Sequence, residues 1–266
     1  MGVCVKLSAN AGYAPAEIVF YRSLVGLIIM AVIVRWRGVS LATPHWGRQM
    51  KRGVTGFCSL SVYFYAIGLL PLATAVTLNY TSPIFLMVML ALFRGLRLNA
   101  GVGLSLGLGM AGVACMLHPS FGADALYGCM VALGSAVLAA MTYFDVRDLG
   151  QRGEPEARTV FYFAVSSVAL ATVWICFTTL HELTLAGFCK LAGVGVFATL
   201  AQLAMTRAYA RGKVLLSASL AYSTVLFSTI FGVLFLGDGF GWLEALGMAL
   251  VMVSGVAANY FSAARK

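Results

Sequence analysis

Residues 72–94, LATAVTLNYTSPIFLMVMLALFR, constrain this chain more than any other stretch. The segment is long enough to cross a bilayer as a helix, which takes roughly 20 residues. Its middle nevertheless carries Asn79, Tyr80, Thr81, Ser82 and Pro83. Polar side chains at mid-membrane depth are costly against lipid. Proline has no N–H, so Pro83 frees the carbonyl one turn earlier and marks a kink and candidate gating point. Such a helix must face protein or a watery cavity at its centre.

A related stretch follows later. Residues 66–95 laid over 208–237 without a gap give identical pairs at Ala66/Ala208, Leu78/Leu220, Tyr80/Tyr222, Phe85/Phe227, Leu92/Leu234, Phe93/Phe235 and Gly95/Gly237. Chance in so apolar a chain gives roughly three such matches. The central triplets, Tyr80-Thr81-Ser82 and Tyr222-Ser223-Thr224, coincide as well. The chain therefore reads as two homologous halves, 1–119 and 120–266, meeting at these two helices.

Of the 266 residues, 61% are hydrophobic and 10% charged, with a mean hydropathy of +0.92. A soluble domain is about 25% charged. Long soluble domains are excluded, and the expected class is an all-α polytopic membrane protein. Apolar segments fall at 17–34, 53–70, 72–94, 99–117, 125–144, 159–178, 188–205, 214–236 and 241–261. They predict nine complete transmembrane helices plus a partial first one. The opening MGVCVKLS supplies only half a span, so the first helix is expected to begin upstream of Met1.

The net charge of +9 would suggest nucleic acid in a soluble protein. Here it reads as a topology signal, and no nucleic-acid partner is expected. With loop 35–52 in the cytoplasm and alternation thereafter, 15 of the 18 Lys and Arg residues fall on that side, as does the C-terminus. The turn at Pro71 then faces out, whereas its counterpart, Arg211-Gly212-Lys213, faces in. The halves are thus two inverted five-helix repeats, an arrangement found in many secondary transporters.

The six cysteines are scattered without CxxC or Cys/His spacing, so neither a metal site nor a disulfide framework is expected. The glycines of 99–117 favour close helix packing over a phosphate loop. No GxxxxGK[ST] pattern occurs, which argues against ATP drive, and no cofactor is expected.

At this point the chain resembles the drug/metabolite transporter superfamily, in its EamA-like group, over nearly the whole length. The residues that carry the likeness are the Lys6 region, AEIVFYRSLVG around Arg22, ATAVTLNYTSPIF and LFLGDGF. The resemblance implies ten helices in two inverted five-helix repeats around a central cavity, with both ends cytoplasmic. The chain departs from the family where a Glu usually follows the fourth and ninth helices: Leu96 and Asp238 stand there.

A transport site needs polar groups near the midplane that replace water around a solute. Depth alone selects Tyr63, Asn79, Tyr80, Ser82, Thr142, Tyr143, Gln202, Tyr222, Ser223 and Thr224 as candidate substrate-binding residues. Asn79 and Gln202 offer both donors and acceptors, and the tyrosines can stack or donate a hydroxyl. The competing reading is that such residues bond their own backbone or join neighbouring helices. Lys6 and Arg22 are the basic residues placed well inside apolar helices. Arg22 is either a cavity cation or a residue that binds helix ends or snorkels outward. Asp145, Arg147 and Asp148 read as a solvated gate or helix terminus.

The leading expectation is a secondary transporter of small metabolites, such as amino acids, nucleobases or related compounds, in the plasma (cell inner) membrane. The alternatives are an intramembrane enzyme, for which no nucleophile, base or paired acid converges, and a non-transporting membrane scaffold. The expected partners are the lipid bilayer and a small-molecule solute, with a homo-oligomer as a further option.

Overall fold

The computed structural model describes residues 1–94, 100–116, 123–178, 180–211, 223–237 and 241–263. The described residues are helical, with no strand among them. The helices are α1 (Gly2–Asn10), α2 (Pro15–Trp36), α3 (Trp46–Leu69), α4 (Leu72–Asn79), α5 (Ser82–Arg94), α6 (Ala100–Met116), α7 (Ala123–Gln151), α8 (Glu156–Ile175) and α9 (Leu185–Arg211). Then come α10 (Ser223–Phe231), a π-helical turn over Gly232–Leu236, and α11 (Trp242–Ala263).

Local chemistry sets the ends. Pro15 opens α2 at a position where a missing N–H costs nothing. Two residues on, Glu17 Oε2 accepts the Ala14 N–H at 2.8 Å. Gly153, at φ +77°, lets the chain reverse between α7 and α8, and Gly237, at φ +66°, closes the π turn. Both conformations are in the left-handed region that glycine enters without steric cost.

Four segments, Pro15–Trp36, Leu126–Gln151, Glu156–Ile175 and Leu185–Ala210, are long and apolar enough to cross a membrane. Large apolar side chains cover the outside: Leu104 is 76% exposed and Phe93 71%. Water would penalise that surface, and lipid does not. Small residues set the close approaches within. A Cβ on Gly112 would stand 2.8 Å from the Gly247 carbonyl oxygen, and one on Gly109 would meet Ser254 at 2.5 Å, so α6 lies tight against α11. Gly103 and Gly107 face open space instead. Further contacts join α3 to α7 and α8, α2 to α8 and α9, α1 to α9, α4 and α5 to α7, and α10 to α4.

The structure moves several expected boundaries. Helix α3 starts at Trp46 rather than 53, because its first turns pack on α7 and α8 instead of lying in water. Likewise α7 continues to Gln151, past the expected end at 144. Most of the charged stretch 145–158 between α7 and α8 is therefore helix. The segment 72–94, expected as one kinked helix, is two helices with a break at Tyr80 and Thr81.

Candidate functional site

The break in the fourth span follows from its sequence. Pro83 cannot donate to the Asn79 carbonyl. The chain closes a tighter turn ahead of it, with Thr81 N–H donating to the Leu78 carbonyl at 3.2 Å and Thr81 Oγ1 donating to the same oxygen at 2.7 Å. Tyr80 closes α4, its N–H still donating to the Val76 carbonyl at 2.9 Å. Its side chain hydrogen-bonds with Thr224 on α10, so the broken span touches α10 at its polar centre. Ser223 opens α10, and Tyr222 lies outside the described residues, as do Leu96 and Asp238.

Tyr63 of α3, Tyr80 and Tyr143 of α7 lie near one another beside the break. Tyr143 stacks on Tyr209 of α9, with centroids 4.8 Å apart and planes 9° from parallel, and it hydrogen-bonds with Ser82. Its neighbour Thr142 is turned to its own backbone, donating to the Leu138 carbonyl at 3.0 Å.

Two candidates are engaged by protein. Asn79 Nδ2 donates to Ser135 Oγ at 2.8 Å, and Ser135 Oγ donates to the Ala132 carbonyl at 2.7 Å. Lys6 Nζ donates to the Ile67 and Leu70 carbonyls at 2.8 and 2.7 Å. The Ile67 carbonyl needs such a partner, because the residue one turn on is Pro71, which has no N–H.

Arg22 does not snorkel outward. It is 6% exposed and lines a small cavity with Ser23, Gly26, Thr199 and Gln202. Its Cζ lies 5.4 Å from the centroid of Phe163, a ring on α8. Arg52, expected in a cytoplasmic loop among other topology cations, is 0% exposed, with Cζ 4.2 Å from the same ring. Lys6 and Arg22 are thus joined by a third interior cation. The missed signal is a helical face: Arg52, Gly56, Ser59 and Tyr63 recur at the spacing of one stripe once α3 is started at Trp46.

The end of the bundle that carries these basic residues is closed by ion pairs. Arg48 meets Asp148 at 2.6 Å and Lys51 meets Asp145 at 2.8 Å, joining α3 to α7. Both acids are buried, at 8% exposure each, and so are paired groups rather than a solvated gate. Glu154 accepts from Thr43, from Gln49 at 3.1 Å and from Arg158 at 3.0 Å. Burial raises its pKa, but those hydrogen bonds and the Arg158 charge outweigh it and leave the carboxyl below its ordinary value. At the opposite end Glu17 Oε1 accepts the His181 N–H at 2.8 Å, and Tyr13 packs edge-on against the His181 ring at 5.0 Å.

A bundle of apolar helices with a broken span and a polar cluster at its centre defines the class as polytopic membrane protein of the carrier type. The EamA-like transporter family matches residues 1–118 and 126–260, and the chain belongs to it. Pseudopaline exporter CntI of Pseudomonas aeruginosa is 32% identical over 259 residues, covering 97% of this chain and 90% of the exporter. Solute carrier family 35 member G1 of Homo sapiens is 23% identical, over 91% of this chain and 70% of that protein. A riboflavin transporter of Brucella anthropi is 22% identical, over 75% and 72%. The fold matches a solved crystal structure with a TM-score of 0.75 at 21% identity, over 99% of this chain and 96% of the other.

Proposed function

We propose that this chain is a secondary carrier that moves small solutes by rocking one half against the other. The halves are 1–119 and 120–266, built as inverted repeats, and the family match in two segments supports that division. The observation that carries the reading is a packing pattern whose main contacts recur when the halves are exchanged. Helix α1 on α9 corresponds to α7 on α3, and α2 on α9 to α8 on α3. Helices α4 and α5 on α7 correspond to α10 and its π turn on α1, while α2·α8, α4·α10 and α6·α11 map onto themselves. In this reading the pseudo-twofold axis passes between α4 and α10, where carriers of this kind hold solute.

In this reading Tyr63, Tyr80, Ser82, Tyr143, Gln202 and Thr224 line the path with Arg22, and Thr142 supports α7. Asn79 and Lys6 brace the helices around it. The cavity beside Arg22 has a volume of about 20 Å³. That is room for roughly one water, so a solute needs a wider conformation than this one. The protein sits in the plasma membrane with its basic end and C-terminus in the cytoplasm, by the charge rule.

Counterflow of labelled solutes in proteoliposomes tests the carrier. Absence of flux for every solute class in a broad panel would refute it. For the inverted repeat, single cysteines in a cysteine-free background are expected to label from outside at position 71 and not at 48 or 211. External labelling at 211 would overturn the inversion.

A further inference from the structure

Two arginines with no carboxylate partner among the described residues lie against one aromatic ring in the interior. Arg52 Nε, Nη1 and Nη2 and Arg22 Nε are buried with no hydrogen-bond partner among the described residues. A guanidinium stays protonated in proteins. Its buried charge is therefore heavily penalised unless something pairs with it. Contact with the Phe163 ring offsets only part of that penalty. Asp145 lies within the field of Arg52, but its carboxylate is held by Lys51 at 2.8 Å.

Small neighbours make room for these side chains. A Cβ on Gly56 would stand 2.6 Å from Arg52 Nη1 and 2.9 Å from the Phe163 ring, so only glycine leaves the guanidinium its slot. The cavity beside Arg22 adds the neutral polar groups of Ser23, Thr199 and Gln202. Both guanidinium carbons lie within 5.4 Å of one ring centroid, so the two cations stand no more than about 10 Å apart, a span that a short dicarboxylate can bridge.

We infer that Arg22 and Arg52 are the binding site for the carboxylates of an organic-anion solute, a short dicarboxylate satisfying both. This rests on the carrier reading above. Each guanidinium offers paired N–H groups that match a planar carboxylate edge to edge. A flat group suits a narrow site between guanidinium planes and a ring better than a tetrahedral phosphate does. A cationic solute would be repelled by both arginines.

The test uses the full chain in detergent, with thermal unfolding in succinate, glutarate, inorganic phosphate and the neutral analogue succinamide. Counterflow of labelled succinate and succinamide in proteoliposomes runs beside it. Succinate or glutarate is expected to raise the Tm and succinate to be carried, with succinamide inert. Arg22→Gln and Arg52→Gln should each weaken dicarboxylate binding at least tenfold while raising the Tm of the ligand-free protein, since each removes an unpaired buried charge. An arginine kept for structure would lower that Tm. Gly56→Ala keeps both charges but crowds Arg52, and should also weaken binding; it carries the test if the arginine variants fail to fold.

Binding and transport of succinamide unaffected by the arginine changes would overturn the anion site and leave the carrier standing. Stabilisation by phosphate with both dicarboxylates silent would overturn the carboxylate assignment, as would silence from every anion. Arginine-dependent succinate binding with no flux of either solute would keep the site and count against the carrier.

Discussion

Asn79 donates its side-chain amide to Ser135 Oγ at 2.8 Å, tying the inner end of α4 to the middle of α7. The two helices fall in the two segments matched by the family, and in the proposed reading the bond crosses the interface at which the carrier moves. Interhelical hydrogen bonds in membranes are worth about 0.6 kcal/mol on average and up to about 1.7. Asn79→Ala should therefore lower stability by about 1 kcal/mol, read as a drop in Tm in detergent, with solute affinity of the folded fraction unchanged. Normal stability with lost affinity would instead make Asn79 a solute contact.

Lys6 holds the end of α3 from another helix. Removing its ammonium strands the Ile67 and Leu70 carbonyls, which it meets at 2.8 and 2.7 Å. Hydrogen bonds to a charged group contribute about 1.5–3 kcal/mol. Lys6→Met should lower the Tm clearly, whereas Lys6→Arg, which keeps the donors, should recover most of the loss. A Tm unchanged in Lys6→Met would show that the contact contributes nothing to stability.

Pro83 keeps α4 and α5 apart. With Pro83→Ala the Asn79 carbonyl regains a donor one turn on, and the break at Tyr80 and Thr81 can close into continuous helix. The expected result is equal or greater thermal stability with slower solute flux. Hydrogen exchange at the Tyr80 and Thr81 amides should slow in parallel. Unchanged flux despite slowed exchange would separate the break from gating.

The depressed pKa of Glu154 makes it a stabilising group at neutral pH, with a defined window of loss. Its contribution is fully present above the ordinary value of 4.5 and disappears as pH falls through the lower folded value. Glu154→Gln should be less stable than the parent at pH 6. The gap should narrow below pH 4.5, where the parent protonates the same carboxyl. A constant gap across the acid range would mean the charge is not what stabilises this corner.

Much of the site was legible because polar residues stand out in an apolar chain. Tyr80 and Pro83 announced the break, although its geometry is sharper than a kink because Thr81 caps Leu78 with its own hydroxyl. Arg52 was not legible by composition. In a run of five cations, charge asymmetry assigns a side of the membrane but does not tell a buried arginine from exposed ones. Lys6 and Arg22 show the same limit from the other direction. Both were singled out by depth, yet only side-chain placement separates an ammonium on backbone carbonyls from a guanidinium beside a cavity. Ser135, Tyr209 and Phe163 carry no signal of their own, being ordinary residues until a neighbour on another helix gives them a role.

The ion pairs at the basic end have a consequence for how the molecule rests. Arg48–Asp148 and Lys51–Asp145 both join α3 to α7, so under the proposed carrier reading the halves cannot part at that doorway without breaking them. The basic partners are 52% and 59% exposed, within reach of mobile ions. Salt at physiological strength screens such charges over about 8 Å. The latch is therefore a spring whose stiffness depends on the electrolyte bathing that face, and lowering ionic strength there biases the protein toward keeping that doorway shut.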